Sequence, residues 1–153
     1  MLKILFVCTG NTCRSPMAAA LFTRSAAVEP AEFGFTAASA GLYALPGEPA
    51  SEDAVLALKD YPGSDLSGHR ARKVSCADIE GAFLVLTMEQ SHKQHLLSAC
   101  TDAHQKVFTL KEYVYGISGD IIDPFMAGLP EYRRCAQEIA QAVEKLIEKL
   151  KKC

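Results

Sequence analysis

An α/β fold with a four-stranded parallel sheet flanked by helices is predicted by two observations: short apolar runs alternate with helical stretches, and the first run ends in a cysteine-led loop that opens an alanine-rich helix. A third observation concerns size. With 153 residues and 49% hydrophobic composition, the chain suits one domain, residues 1 to 153, with a core that needs neither metal nor disulfide.

The elements follow in order. Lys3 to Cys8 is an apolar run of strand formers, Thr9-Gly10-Asn11-Thr12 reads as a loop, and Pro16 to Ala27 as a helix. Strand signals recur at Phe33 to Ser39 and Ala82 to Thr87, and a weaker one lies at Lys106 to Leu110. Ala50 to Lys59 and Glu89 to Leu97 read as the helices between them. From Glu131 to Lys152, the residues Ile139, Val143, Leu146, Ile147 and Leu150 fall at helical spacing with charges between, which predicts a long amphipathic terminal helix. The turn-rich stretches Tyr43 to Ala50, Tyr61 to Gly68 and Gly116 to Pro130 are loops on this scaffold, too short for interdomain linkers.

Charge narrows the partners. Lys and Arg total 16 against 18 for Asp and Glu, so a net charge of -2 leaves no footprint for nucleic acid or a membrane surface. The seven residues before Cys8 are too short for a leader's apolar region, and no apolar run approaches about 18 residues, so a cytoplasmic protein is expected. The six cysteines, at 8, 13, 76, 100, 135 and 153, are scattered in a way that predicts reduced thiols rather than disulfides. Their spacing offers no zinc ligand pattern, so neither metal nor cofactor is expected.

The chemistry concentrates in Cys8-Thr9-Gly10-Asn11-Thr12-Cys13-Arg14-Ser15. Cys8 is the only cysteine followed by an arginine after five intervening residues. Its context is a strand end, Gly10 and Asn11 are residue types that tolerate positive φ, and the helix is expected to open at about Ser15-Pro16. A loop wrapped onto a helix N-terminus turns its amides inward and, with the helix dipole, forms a concave anion site. Arg14 adds a guanidinium suited to two phosphate oxygens at once. The same field favours the thiolate of Cys8, a nucleophile placed for in-line attack at phosphorus. Asp123, held before Pro124 in a turn-rich loop, is the candidate acid for the leaving atom and afterwards the base for water. Arg70 and Arg72 read as structural or solvated residues, His69 as a hydrogen-bonded structural histidine, and His92, His95 and His104 as surface residues.

On these residues the chain resembles a low-molecular-weight protein tyrosine phosphatase. Cys8 to Pro16 is similar to the family's N-terminal signature and Asp123-Pro124 to its late acid loop; Ser39-Ala40-Gly41 and Asp65 to Arg72 match lesser signatures. The resemblance implies a flavodoxin-like three-layer fold with helices on both sheet faces. It implies that the loop Thr9 to Ser15 binds phosphate, and that Asn11, Ser15, Ser39 and His69 brace it. It also implies that Cys13 closes a reversible disulfide with Cys8. The expected substrate is a phosphorylated protein and the expected state a monomer.

Two positions bear on which phosphoresidue is taken. Thr12 is small and polar where tyrosine-specific members commonly carry a bulky aliphatic residue, and Phe125 is the single aromatic residue after Asp123-Pro124. Both features resemble the bacterial protein arginine phosphatases of the same family, although Met126 stands where glycine is common among them. Phosphoarginine is therefore favoured, with phosphotyrosine the alternative. An arsenate reductase would start its thiol relay with cysteine after the strand Ala82 to Thr87, where Met88-Glu89 stand instead. A noncatalytic redox switch of Cys8 and Cys13 would have no need of Arg14, Ser15 and Asp123.

Overall fold

The computed structural model describes every residue from Met1 to Cys153. Four strands, β1 (Leu2–Cys8), β2 (Phe35–Gly41), β3 (Leu84–Thr87) and β4 (Val107–Thr109), form one parallel sheet in the order β2-β1-β3-β4. β1 is central because it can bury both faces: Ile4, Phe6 and Cys8 point into one apolar cluster and Leu5 and Val7 into another. That order reverses the chain's direction of travel across the sheet between β1 and β3. In open parallel sheets such a reversal leaves a crevice at the carboxyl ends of the strands.

Six α-helices cover the sheet: α1 (Arg14–Ala26), α2 (Glu52–Ala57), α3 (Cys76–Gly81), α4 (Gln90–Ala99), α5 (Leu110–Tyr115) and α6 (Leu129–Leu150). Met17, Leu21 and Phe22 of α1 pack with α2, α6 and Leu110 on one face; Ile79 of α3 and Leu96 of α4 pack on the other. The result is the three-layer arrangement that was expected. In α6, Ile139, Val143, Leu146, Ile147 and Leu150 are all buried, as their spacing predicts, and Pro130 occupies the first turn. The rings of Phe6, Phe22, Phe33 and Phe35 follow one another at centroid separations of 6.0, 6.2 and 5.1 Å. They run from Phe6, opposite Ser39, to Phe35 at the start of β2.

Several details differ from the sequence reading. Ala50 to Lys59 divides into α2 and a 3-10 turn at Leu58–Asp60. The short helices α3 and α5 were not anticipated, although each is announced by a capping box, Ser75 with Asp78 and Thr109 with Glu112. The expectation of uniformly reduced thiols is corrected: Cys76 and Cys100 form a disulfide, while Cys8, Cys13, Cys135 and Cys153 are free. The partners lie 24 residues apart in sequence, and only the packing of α3 beside the end of α4 brings them together. No helix is long and apolar enough to cross a membrane, and no group of three or more His, Cys, Asp or Glu side chains is arranged to hold a metal ion.

Candidate active site

Cys8 is the last residue of β1 and pairs in register with Gly41 at the end of β2. The chain then turns through Thr9 to Cys13 and enters α1 at Arg14. Leu42 N donates to Cys8 O at 3.0 Å and Tyr43 N to Thr9 O at 2.9 Å, so β2 and its following turn anchor the start of the loop. A side chain at position 41 would not fit: a Cβ there would lie 2.8 Å from both Asn11 N and Thr9 O. Gly41 is required because two backbones meet at that point.

Asn11 organises the loop. It is buried with φ 56°, the left-handed conformation, whereas Gly10 keeps an ordinary φ and does not share the role the sequence suggested. The Asn11 amide donates to Ser15 Oγ and Ser39 Oγ, both at 2.9 Å, and its Oδ1 accepts from Arg72 N at 3.0 Å. His69 Nε2 lies 2.7 Å from the Asn11 carbonyl. Asn11, Ser15, Ser39, His69 and the backbone of Arg72 thus meet in one hydrogen-bonded group at the loop. The helix opens at Arg14, one residue before the expected start, and Ser15 turns inward: its Oγ sits 2.9 Å from Cys8 Sγ and 3.3 Å from Ala40 O.

The loop keeps its donors free. None of the backbone N–H groups from Thr9 to Ser15 donates to a backbone carbonyl. Cys13 stands at the helix N-cap without a side-chain cap, and the first turn of α1 holds no acidic residue. Thirteen residues of helix therefore direct an unshielded positive dipole end at the same place.

Arg14 is 1% exposed. Nη1 donates to Glu89 Oε2 at 2.5 Å and to Ile121 O at 2.7 Å, while Nη2 faces Thr9 Oγ1 and Asp123 Oδ2, each at 3.5 Å. Nε is buried with no partner. Burial alone would pull its pKa down, but the Glu89 hydrogen bond and the charges of Asp123 and Cys8 outweigh that and hold the guanidinium above its ordinary value.

Asp123 lies on the loop before α6, and its carboxylate is partly open to solvent. Oδ1 accepts from Phe125 N at 3.1 Å and from the Cys13 thiol at 3.7 Å. Burial, with added repulsion from Cys8 and Asp123, pushes the Cys13 thiol up to about 12, which keeps it a protonated donor. Thr12 is half-buried, and its carbonyl accepts from Ser51 N at 2.8 Å. Phe125 and Met126 are exposed at the rim, and Met126 adopts a left-handed φ of 61°. That conformation accounts physically for a preference for glycine there.

Two participants escaped the sequence reading. Glu89, two residues beyond β3, is the ion-pair partner of Arg14; its place just past a strand's carboxyl end was the available signal. His92, expected at the surface, is 4% exposed on α4, with Nε2 2.9 Å from Thr9 Oγ1. The correction has a simple cause, because α4 starts beside the loop and turns its first inward position toward Thr9. His95 and His104 are exposed, as expected.

Comparison with known proteins agrees with this geometry. Residues 3 to 153 match the family model for low molecular weight phosphotyrosine protein phosphatase. A protein-arginine-phosphatase of Geobacillus stearothermophilus is 40% identical over 148 residues, which cover 97% of this chain and 95% of the relative. A solved low molecular weight protein tyrosine phosphatase from T. tengcongensis superposes with TM-score 0.89 at 44% identity, covering 97% of this chain and 99% of that one. The YwlE arginine phosphatase, solved as a cysteine-to-serine variant with a phosphorylated active-site serine, superposes with TM-score 0.93 at 40% identity over 99% of this chain and 97% of its own. The chain therefore belongs to the low molecular weight phosphotyrosine protein phosphatase family.

Proposed function

We propose that this chain is a protein phosphatase that moves the phosphoryl group of a phosphoarginine side chain first to Cys8 and then to water. The observation that carries the reading is the buried guanidinium of Arg14. Its Nε lacks a partner while Glu89 and Ile121 occupy Nη1, so the edge formed by Nε and Nη2 is held ready for an oxyanion beside the free loop amides.

The steps follow from the positions. The Cys8 thiolate, accepting from the Ser15 hydroxyl, attacks phosphorus; an S–P bond forms as the bond to the leaving nitrogen breaks. Loop amides and Arg14 stabilise the charge on the three equatorial oxygens. Asp123, facing the Nη2 edge of Arg14, gives its proton to the departing guanidine. Water then attacks phosphorus, the S–P bond breaks, Asp123 takes the water's proton and inorganic phosphate leaves. Nucleophile, anion site and acid all belong to one chain, so the reaction needs no residue from a second copy, and its substrates are phosphorylated proteins.

Phosphoarginine is favoured over phosphotyrosine by the polar wall at Thr12 and by the arginine phosphatases among the relatives. The test is kcat/KM on phosphoarginine and phosphotyrosine peptides of identical flanking sequence. A preference for phosphoarginine supports the assignment, and a preference for phosphotyrosine moves the substrate without disturbing the Cys8 chemistry. Cys8→Ser should abolish turnover of both while phosphate still binds; normal turnover by that variant would overturn the mechanism.

A further inference from the structure

The Thr9 hydroxyl occupies an unusual position in the loop. Its two polar neighbours are His92 Nε2 at 2.9 Å and Arg14 Nη2 at 3.5 Å. The proton arrangement between Thr9 and His92 is decided on the far side of the ring. Glu89 N donates to His92 Nδ1 at 3.2 Å, and because a backbone N–H can only donate, Nδ1 must be the acceptor. The neutral ring therefore carries its proton on Nε2 and donates it to Thr9 Oγ1.

Two donors, the imidazole and the guanidinium, thus face the lone pairs of Thr9 Oγ1. The hydroxyl proton is left without a protein acceptor, on a residue exposed at the mouth of the anion loop and beside the free edge of Arg14. A hydroxyl whose acceptor capacity is filled has only donation left to offer. We propose that the Thr9 hydroxyl is a further donor to the phosphoryl group held in this loop, and that His92 is the positioning residue that fixes its direction. The inference rests on the phosphatase reading and adds a side-chain donor to the backbone amides of the same loop.

The arrangement has a structural logic. Glu89 acts through two atoms: its carboxylate holds Arg14 and its backbone N–H sets the His92 tautomer. Glu89 therefore orients both side-chain donors of the loop. Burial of His92 moves its pKa down from 6.5, against the pull of Glu89 and with a contribution in the same direction from Arg14; Asp120 and Asp123 also face it and pull upward. The net direction favours the neutral ring that the tautomer argument requires.

The experiment measures the inhibition constant of inorganic phosphate together with kcat/KM on an aryl phosphate. Thr9→Val keeps the shape and removes the hydroxyl. It is expected to weaken phosphate binding and lower kcat/KM by about ten- to a hundredfold, the range for losing a hydrogen bond to a charged group, and Thr9→Ser should restore most of the loss. His92→Phe should cause a similar loss when Thr9 is present and no further loss in the Thr9→Val background; His92→Gln, which keeps a donor near the Nε2 position, should recover part of it. A long-range proton–nitrogen NMR spectrum should show His92 protonated on Nε2.

An unchanged phosphate inhibition constant in Thr9→Val, equal losses from His92→Phe in both backgrounds, or a ring protonated on Nδ1 would each overturn the proposal alone, provided the wild type turns over the aryl phosphate. A wild type without turnover would overturn the phosphatase reading and this inference with it.

Discussion

Glu89 Oε2 accepts from Arg14 Nη1 at 2.5 Å, and this contact ties the end of β3 to the first turn of α1. Arg14 is fully buried while Glu89 is 28% exposed, so the pair is neither a surface ion pair nor a sealed one. Removing the carboxylate would leave a buried cation with Ile121 O as its closest acceptor. Glu89→Ala is expected to cost roughly 1–3 kcal/mol of stability, below the range for a fully buried pair because solvent reaches the site. A guanidinium that has lost one of its two Nη1 acceptors is less firmly oriented, which should lower kcat/KM about tenfold or more, and Glu89→Gln, which can still accept from Nη1, should lose less. Thermal melts and steady-state kinetics on the same variants check both; equal kinetic losses for Ala and Gln would deny the orienting role.

Gly41 and Asn11 supply the second prediction. A Cβ at position 41 would sit 2.8 Å from Asn11 N and Thr9 O, and both are backbone atoms that cannot swing aside. Gly41→Ala must therefore displace the loop or spread β1 from β2. We expect kcat/KM to fall by about 10²-fold, as for a misplacement of about 1 Å in a reacting site, with a stability loss of roughly 1–3 kcal/mol from the overpacking. Retention of full activity would show that the loop tolerates the shift.

Much of this architecture was legible because it rests on local pattern. The buried run of β1, the loop at its end and the spacing of Ile139 to Leu150 are written in consecutive residues, and so were read with errors of a few residues at their ends. The residues that meet Arg14 and Thr9 were not legible. Glu89 and His92 reach the loop only because β3 pairs with β1 in register, Val7 opposite Thr87, which no spacing in the chain reveals. The left-handed turn at Asn11 was readable from residue type, whereas the bracing roles of Asn11, Ser39 and His69 came from the family resemblance. The disulfide was missed for a related reason: two cysteines 24 residues apart carry no local signal, and composition argued for free thiols.

The Cys76–Cys100 bond joins the first turn of α3 to the end of α4, the helix that carries His92. Closing a loop of this length restricts the unfolded chain by about 3 kcal/mol in the chain-entropy account. Reductant should therefore lower the melting temperature by several degrees, and Cys100→Ser should melt at the lower temperature with or without reductant. Thiol titration of the denatured, unreduced protein should count four free thiols, from Cys8, Cys13, Cys135 and Cys153. Six would show that the bond is absent.

Asp123 is the proposed acid for the leaving atom, with Oδ1 held by Phe125 N and Oδ2 on the Arg14 side. Asp123→Asn preserves that geometry and removes the transferable proton. Phosphoryl transfer to Cys8 from substrates with poor leaving groups should slow by roughly 10²-fold or more, with a smaller loss for activated aryl phosphates. Single-turnover kinetics separate this step from hydrolysis of phosphocysteine. Equal losses for both leaving-group classes would contradict the protonating role.

Thr12 provides the substrate test. Its carbonyl is fixed by Ser51 N at 2.8 Å, so the backbone at this position is held from outside the loop, and we propose that the half-buried side chain forms part of the wall beside the leaving group. Isoleucine keeps the β-branch, and with it the local stiffness, but replaces a hydroxyl with apolar volume. A guanidinium beside that wall loses a polar neighbour, and its N–H groups face a surface that cannot accept from them. A phenyl ring gains contact. Losing one such hydrogen bond costs about 1–3 kcal/mol, or roughly ten- to over a hundredfold in a specificity ratio. Thr12→Ile should therefore shift kcat/KM from phosphoarginine towards phosphotyrosine peptides, measured at a pH where phosphoarginine is chemically stable. The loop's anchoring confines the change to the wall, so hydrolysis of a small activated aryl phosphate should not fall by a comparable factor. A drop shared by all three substrates would mean that the loop itself had moved, and an unchanged ratio would remove Thr12 from the choice of phosphoresidue.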